Sequence, residues 1–261
     1  MVSFIVPAYN EVENIGPTIG SIRRVAAAVA LDGYEIIIVD DGSTDGTREQ
    51  ATALQREFDV VSAISHPTNL GLGSAIRTGL AAAKYEQFMV VPGDNDIQQD
   101  LLQFSLSLRG YADLVLIVPL NKEIRTLGRN VLSTIYQLIH MISFRIYVNY
   151  INGPGIWPTA RTREMNLRSN RFGIASELNV KLLRSGCSYV EIPGYLQAGP
   201  KARRTVTVRN LIEVIRSYLM LLYEIHIRSR KKFSAMSRRV IVDFSDIERS
   251  AAAGKDKVAA K

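Results

Sequence analysis

Residues 87–98 read QFMVVPGDNDIQ. The run from Gln87 to Val91 has the character of a buried strand, yet it passes through Pro92-Gly93 directly into Asp94 and Asp96, two carboxylates one residue apart. A strand that ends on Pro-Gly opens a loop at the carboxyl edge of a sheet, and in open α/β sheets that edge is where ligands sit. Two anions so close repel each other unless both stay solvated or a cation lies between them. Oxygen ligands of this kind suit Mg2+ or Mn2+, hard ions that take one or two protein carboxylates and complete their shell with phosphate and water. Taken alone, the pattern fits a solvated turn as well as a metal site.

Upstream of this loop, apolar runs alternate with amphipathic stretches. VSFIVPA (2–8), YEIIIVDD (34–41) and VVSAISH (60–66) read as strands, with helices near 11–31, 45–58 and 71–84, and ADLVLIV (112–118) reads as a fifth strand. Strand and helix in strict alternation, with crossovers of this length, predict an α/β fold with a parallel sheet covered on both faces. Asn10 with Glu11 and Glu13 marks the start of the first helix, and the loop DDGSTDGT (40–47) offers Ser43, Thr44 or Asp45 as caps for the second. A dinucleotide-binding fingerprint is disfavoured. Gly71 and Gly73 follow the third strand rather than the first, and Ile76 stands where the third glycine belongs.

The chain has 261 residues, 47% hydrophobic and 22% charged, which fits one large domain with an appendage. Its single cysteine, Cys187, can form neither an internal disulfide nor a cysteine-rich zinc site, and His66, His140 and His226 are scattered as structural or surface residues. With no signal peptide at Met1-Val2-Ser3, a cytoplasmic protein is expected. Charge is unevenly spread: residues 1–120 carry 7 Lys and Arg against 15 Asp and Glu, while the remainder carries 25 against 10. A basic half of this kind meets something anionic. Nucleic acid is disfavoured, because it leaves the acidic sheet edge without a role. Two long stretches, 129–151 and 209–232, are apolar and edged with Arg and Lys, but Arg145 and His140 interrupt the first and Glu213, Arg216 and Glu224 the second. They suit interfacial helices at a membrane surface better than spanning ones, with ordinary helices packed by one face on the core as the alternative, and the RSRKK cluster (228–232) favours anionic head groups. The expected organisation is a domain over 1–205, divided near 118, then a basic amphipathic helix over 206–233 and a weakly ordered tail over 234–261.

Parallel strands place the ends VPAYNE, Asp40-Asp41 and Asp94-Asn95-Asp96 side by side. A nucleotide laid across them would set its base and ribose near residues 7–11 and Asp41 and its pyrophosphate at a metal near Asp96. The motifs FIVPAYNEVENI, EIIIVDDGSTDGT, NLGLGSAIRTGL and PGDNDIQ, in unbroken order over about the first 118 residues, resemble the nucleotide-sugar half of family 2 glycosyltransferases, which have the GT-A fold. FGIASELNVKLLRSGCSYVEIPGYL (172–196) is similar to the later part of their polyprenyl-phosphate mannosyl- and glucosyltransferase branch. The resemblance implies that Asp94, Asp96 and Gln98 hold the metal and donor and that Pro7, Tyr9, Glu11 and Asp41 line the base and ribose pocket; Gly71, Gly73 and Arg77 are candidates to approach the nucleotide, with a turn, a helix cap and a surface arginine as the equal alternative. It also implies a GDP- or UDP-sugar donor and inversion at the anomeric carbon.

The chain departs from that branch in its second half. Val118-Pro119-Leu120 replaces a Gly-Ser-Arg element, Asn149 stands at the aspartate of an Asp-x-x-x-Gly-Phe element, and GPKARRTVTVRN (199–210) is what remains of a basic cluster. Arg125, Arg129, Arg203 and Arg204 are the candidates to take over phosphate binding, since guanidinium groups bond phosphate oxygens in pairs. A lipid phosphate acceptor needs no general base. A hydroxyl on a glycan or glycolipid needs one, and no Asp or Glu is assigned to it: Glu177 is a candidate, but a salt-bridged structural role is the favoured reading for it. The leading expectation is therefore a metal-dependent transferase on the inner face of the cell membrane that uses an anionic lipid acceptor. Transfer to a glycan hydroxyl, and a non-catalytic sugar-nucleotide or membrane-binding module, stand behind it.

Overall fold

A computed structural model describes residues 1–95, 97–121, 126–171, 173–195 and 208–243, without the side chains of 129 and 208–212. Among the described residues seven strands form one sheet: β1 (Val2–Ala8), β2 (Tyr34–Asp40), β3 (Val61–Ser65), β4 (Gln87–Val90), β5 (Leu114–Pro119), β6 (Gly155–Pro158) and β7 (Tyr189–Gly194), in the spatial order β3-β2-β1-β4-β6-β5-β7. Every pairing is parallel except those of β6, which runs antiparallel between β4 and β5. The expected parallel sheet thus holds, with one short antiparallel insertion. Four residues, Gly155 to Pro158, are too few to show a period.

Because successive strand residues face opposite sides, β1 serves two cores at once. Phe4 and Val6 pack with Ile15, Ile19 and Ile22 of helix α1 (Ile15–Ala28) and with Leu101, Leu102 and Leu106 of α4 (Gln99–Ser107), while α2 (Thr47–Glu57) adds Ala51 and Leu54. On the other side Ile5 packs with Ile76 and Leu80 of α3 (Leu72–Ala82) and with Leu178 and Leu182 of α7 (Ile174–Arg184). Trp157 belongs to this second core: it lies 5.4 Å from the Phe88 ring and donates its indole N–H to Asn179 at 2.7 Å. Short α6 (Thr159–Arg163) follows it.

Two long helices cover the basic half, α5 (Leu127–Phe144) and α8 (Val208–Tyr223), the latter running into a π-helical turn, Glu224–Arg228. No helix among the described residues is long and apolar enough to cross a membrane. They meet through His140, whose ring lies 5.2 Å from that of Tyr218, and through a 2.7 Å hydrogen bond between Ser143 and the Tyr218 hydroxyl. Burial among these rings pushes the His140 imidazole down to about 4, against its Nδ1–H bond to the Tyr136 carbonyl. The expected tail needs a correction at its start. Residues 238–240 pair with β7 through Tyr189 N–H to Arg238 O at 2.9 Å and Val240 N–H to Tyr189 O at 2.7 Å, and Val240 and Val242 pack on the core.

Candidate active site

Backbone hydrogen bonds lace the carboxyl ends of the parallel strands together. Asp41 N–H bonds to Ala8 O at 2.8 Å, His66 N–H to Asp40 O at 2.8 Å and Gly93 N–H to Pro7 O at 3.1 Å, so the loops after β1, β2, β3 and β4 leave the sheet side by side. Asn10 turns the first loop in the left-handed region (φ 56°), which asparagine tolerates better than most residues. Side chains then stitch it to the second: Asn10 N–H to Ser43 Oγ at 2.9 Å, Thr44 N–H to Asn10 Oδ1 at 2.9 Å and Glu11 N–H to Thr47 Oγ1 at 2.8 Å. The predicted donor residues therefore come together. Pro7 is buried in β1, Tyr9 is 45% exposed at the mouth, and Glu11 is buried with its carboxylate accepting from Asn14 Nδ2.

The carboxylates of this edge have distinct duties. Asp40 faces inward, accepting from Ser43 N–H and from Arg48 Nε at 3.2 Å. Asp41 is buried and folds the turn at the head of α3: Oδ1 accepts from His66 Nδ1 at 2.8 Å and Leu70 N–H at 2.9 Å, and Oδ2 from Gly71 N–H at 2.8 Å. Its expected contact with a nucleotide thus comes on top of a structural task. Asp94 sits half-buried in the loop after β4, beside Gly93, whose carbonyl accepts the Thr18 hydroxyl at 3.1 Å. Gln98 stands immediately before α4. Asp96 and Arg125, Arg203 and Arg204 lie outside the described residues, as does the Arg129 side chain.

Gly71 and Arg77, expected near the nucleotide, have partners within the protein. Gly71 holds φ 96°, and a Cβ there would stand 2.4 Å from Asn170 O; one on Gly73 would stand 2.1 Å from Ser169 O. The loop 165–171 can lie on the start of α3 only because both positions lack a side chain. Arg77 clamps it there, with Nη1 to Ser169 O and Nη2 to Asn170 Oδ1, both at 2.6 Å. Sequence reasoning missed this loop, and no local signal marks it, since the bonded residues are 93 positions apart.

Glu177 takes the structural alternative. Its carboxylate accepts from Arg168 N–H at 2.9 Å, Ser169 N–H at 2.7 Å and Lys181 Nζ at 2.7 Å. Burial pushes its carboxyl up, but the Lys181 ammonium and the loop amides outweigh that and hold it below the ordinary glutamate value. An acid so stabilised in its charged form is a poor proton acceptor. Asn149, although exposed, has a partner within the protein: its backbone N–H and side-chain amide bond the Glu191 carboxylate at 2.5 and 2.8 Å, and burial holds that carboxyl above the ordinary range.

A divalent cation is consistent with this edge. The donors offered are hard oxygens, and Mg2+ or Mn2+ needs only one or two protein carboxylates when a diphosphate supplies the rest. Among the described residues no group of three His, Cys, Asp or Glu forms an all-protein metal site.

Residues 3–103 match the family model described as Glycosyl transferase family 2. The matched stretch, similar to family 2 glycosyltransferases, contains the whole laced edge from Pro7 through Gln98. A dolichyl-phosphate beta-glucosyltransferase from Trichomonas vaginalis is 32% identical over 102 residues, covering 38% of this chain and 30% of that one. An undecaprenyl-phosphate mannosyltransferase from Micrococcus luteus is 27% identical over 201 residues, covering 72% and 80%. The chain spans only 30 to 41% of the length of the Trichomonas relative and of two others, a glycosyltransferase from Bacillus subtilis and one from Haloferax volcanii. In three dimensions the chain is similar to a glucosyl-3-phosphoglycerate synthase from Mycobacterium tuberculosis, solved with Mn2+, UDP and phosphoglyceric acid (TM-score 0.60, 19% identity, 85% of this chain and 78% of that one). A mannosyl-3-phosphoglycerate synthase from Rubrobacter xylanophilus gives a TM-score of 0.64 at 14% identity, over 88% and 75%. Together these show the GT-A fold over most of the chain, beyond the stretch that the family model matches.

Proposed function

We propose that this chain is an inverting glycosyltransferase that moves a sugar from a GDP- or UDP-sugar to a polyprenyl-phosphate-type lipid at the inner face of the cell membrane. One observation carries the reading: the stretch similar to family 2 glycosyltransferases brings Pro7, Tyr9, Glu11, Asp41 and Asp94 to a single sheet edge where four loops are locked by backbone and side-chain hydrogen bonds. The relatives that are dolichyl- and undecaprenyl-phosphate transferases support the lipid acceptor.

Asp94 and Asp96, with Gln98, would hold the metal, which when bound neutralises charge developing on the leaving diphosphate. Around it the rigid loops fix the nucleotide without reorganising, which is how a preformed polar site lowers a barrier. A phosphate monoester acceptor, with a second pKa near 6, is largely dianionic at neutral pH and attacks without help from a base. That agrees with Glu177 being engaged elsewhere. Arg125, Arg129, Arg203 and Arg204 are proposed to hold the acceptor phosphate.

Membrane contact is supported by two exposed stripes at helical spacing: Leu127, Val131, Ile135, Leu138 and Ile142 on α5, and Ile215, Leu219, Tyr223 and Ile227 along α8 and its π-helical turn. Exposed Arg228, Arg230, Lys231 and Lys232 follow the second stripe, the pattern of an interfacial helix on anionic lipid. The test is transfer from a panel of GDP- and UDP-sugars with Mn2+ to polyprenyl phosphate in vesicles, comparing wild type with Asp96→Ala. A lipid-extractable, mild-acid-labile product lost in the variant is expected. Donor binding with no sugar on lipid sinks the lipid reading and favours a glycan hydroxyl or a non-catalytic role.

A further inference from the structure

Lys181 has no exposed surface, and four oxygens close on its ammonium: Glu177 Oε1 at 2.7 Å, Glu224 Oε2 at 3.0 Å, Met165 O at 3.0 Å and Asn166 O at 3.1 Å. Two of these belong to the loop 165–171, and one belongs to the π-helical turn that ends α8. A second tie runs from the same loop to α8, where Glu213 lies 3.2 Å from Arg171 Nε. At its other side the loop rests on Gly71 and Gly73 and takes the Arg77 guanidinium. It is therefore clamped between the donor-side turn, which Asp41 holds, and the inner face of α8.

A buried ammonium has to keep its anionic partners, because unpaired charge in the interior is heavily penalised. Helix α8 cannot shift along its axis without moving the loop or breaking this cluster. Its outer face is the exposed stripe Ile215, Leu219, Tyr223 and Ile227.

We propose that Lys181, Glu177 and Glu224 are positioning residues that couple the seating of α8 on an anionic membrane surface to the loop 165–171 and the Gly71 turn beside Asp41, so that lipid contact tightens nucleotide binding. The coupling rests on the donor-site reading above. It is reciprocal by necessity: bound nucleotide strengthens membrane association by the same factor.

The experiment titrates the full chain with UDP and with GDP, each with Mn2+, by calorimetry, with and without vesicles of phosphatidylglycerol and phosphatidylcholine. Wild type is compared with Glu224→Gln, which leaves Lys181 paired with Glu177, and with Glu213→Gln, which touches only a half-exposed ion pair and keeps the buried cluster. Vesicles should raise wild-type nucleotide affinity roughly fivefold or more. Glu224→Gln should sediment with vesicles as wild type does yet lose that gain, and Glu213→Gln should lose part of it. An equal gain in all three proteins, or none in wild type, overturns the coupling and leaves the donor site standing. If wild type binds neither nucleotide under any condition, the donor-site reading falls and the coupling with it.

Discussion

The two halves of the sheet are built on different terms. In the first half, β1, β2, β3 and β4 follow one another in parallel, and each loop of the proposed donor site leaves a strand end that the sequence marks with Asp, Asn or Gly. In the second half, β6 runs against its neighbours and the loop 165–171 reaches across to α3, held by partners from α7 and the end of α8. A site made at strand ends is encoded next to the strands. One assembled by distant tethers is encoded nowhere locally.

Lys181→Met should produce the largest effect if the second half depends on its buried cluster. It strands two carboxylates in the interior, and removing one partner from such a group costs about 3–5 kcal/mol, read as a fall in unfolding free energy by chaotrope titration. A loss below about 1 kcal/mol would place the cluster in effective contact with water. Asp94→Asn tests the other half. Transfer should drop by about two to three orders of magnitude with stability unchanged, the usual scale for losing one preorganised charge-stabilising group.

That contrast also tells what was legible in the sequence. The alternation before residue 118 predicted the sheet, the helices flanking it and the edge that gathers Pro7, Tyr9, Glu11, Asp41 and Asp94, because side-chain period and turn chemistry are local properties. The spacing of Glu177 and Lys181 on one helix face could be read as an ion pair, and is one. The placing of Glu224 beside Lys181, and of Asn170 on Gly71, could not: each depends on how α8 and the loop pack, which no short window contains. Gly71 and Arg77, expected to approach the nucleotide, also seat the loop 165–171, a task that their local sequence does not announce.

A smaller effect separates the helix pair from the sheet. His140 is held neutral in the fold at about 4 against an unfolded value of 6.5, so its contribution is complete above pH 6.5 and is lost as pH falls toward 4. The loss should reach about 3 kcal/mol. Unfolding free energies measured between pH 4 and 7 should show this slope in wild type and not in His140→Phe; equal slopes would mean that the ring gains water between α5 and α8. Smallest is the membrane term. Lys231→Gln with Lys232→Gln should weaken sedimentation with anionic vesicles by about 1 kcal/mol per charge, fading with salt, and leave binding to neutral vesicles alone.

The central claim is that the ends of β1, β2 and β4 form one donor site. A crystal structure with Mn2+ and UDP or GDP, with the anomalous signal locating the ion, tests it most directly. The account predicts the ion beside Asp94 and Asp96, the diphosphate on it and the base toward Tyr9 and Glu11. An ion held elsewhere, or a nucleotide bound away from this edge, would contradict it.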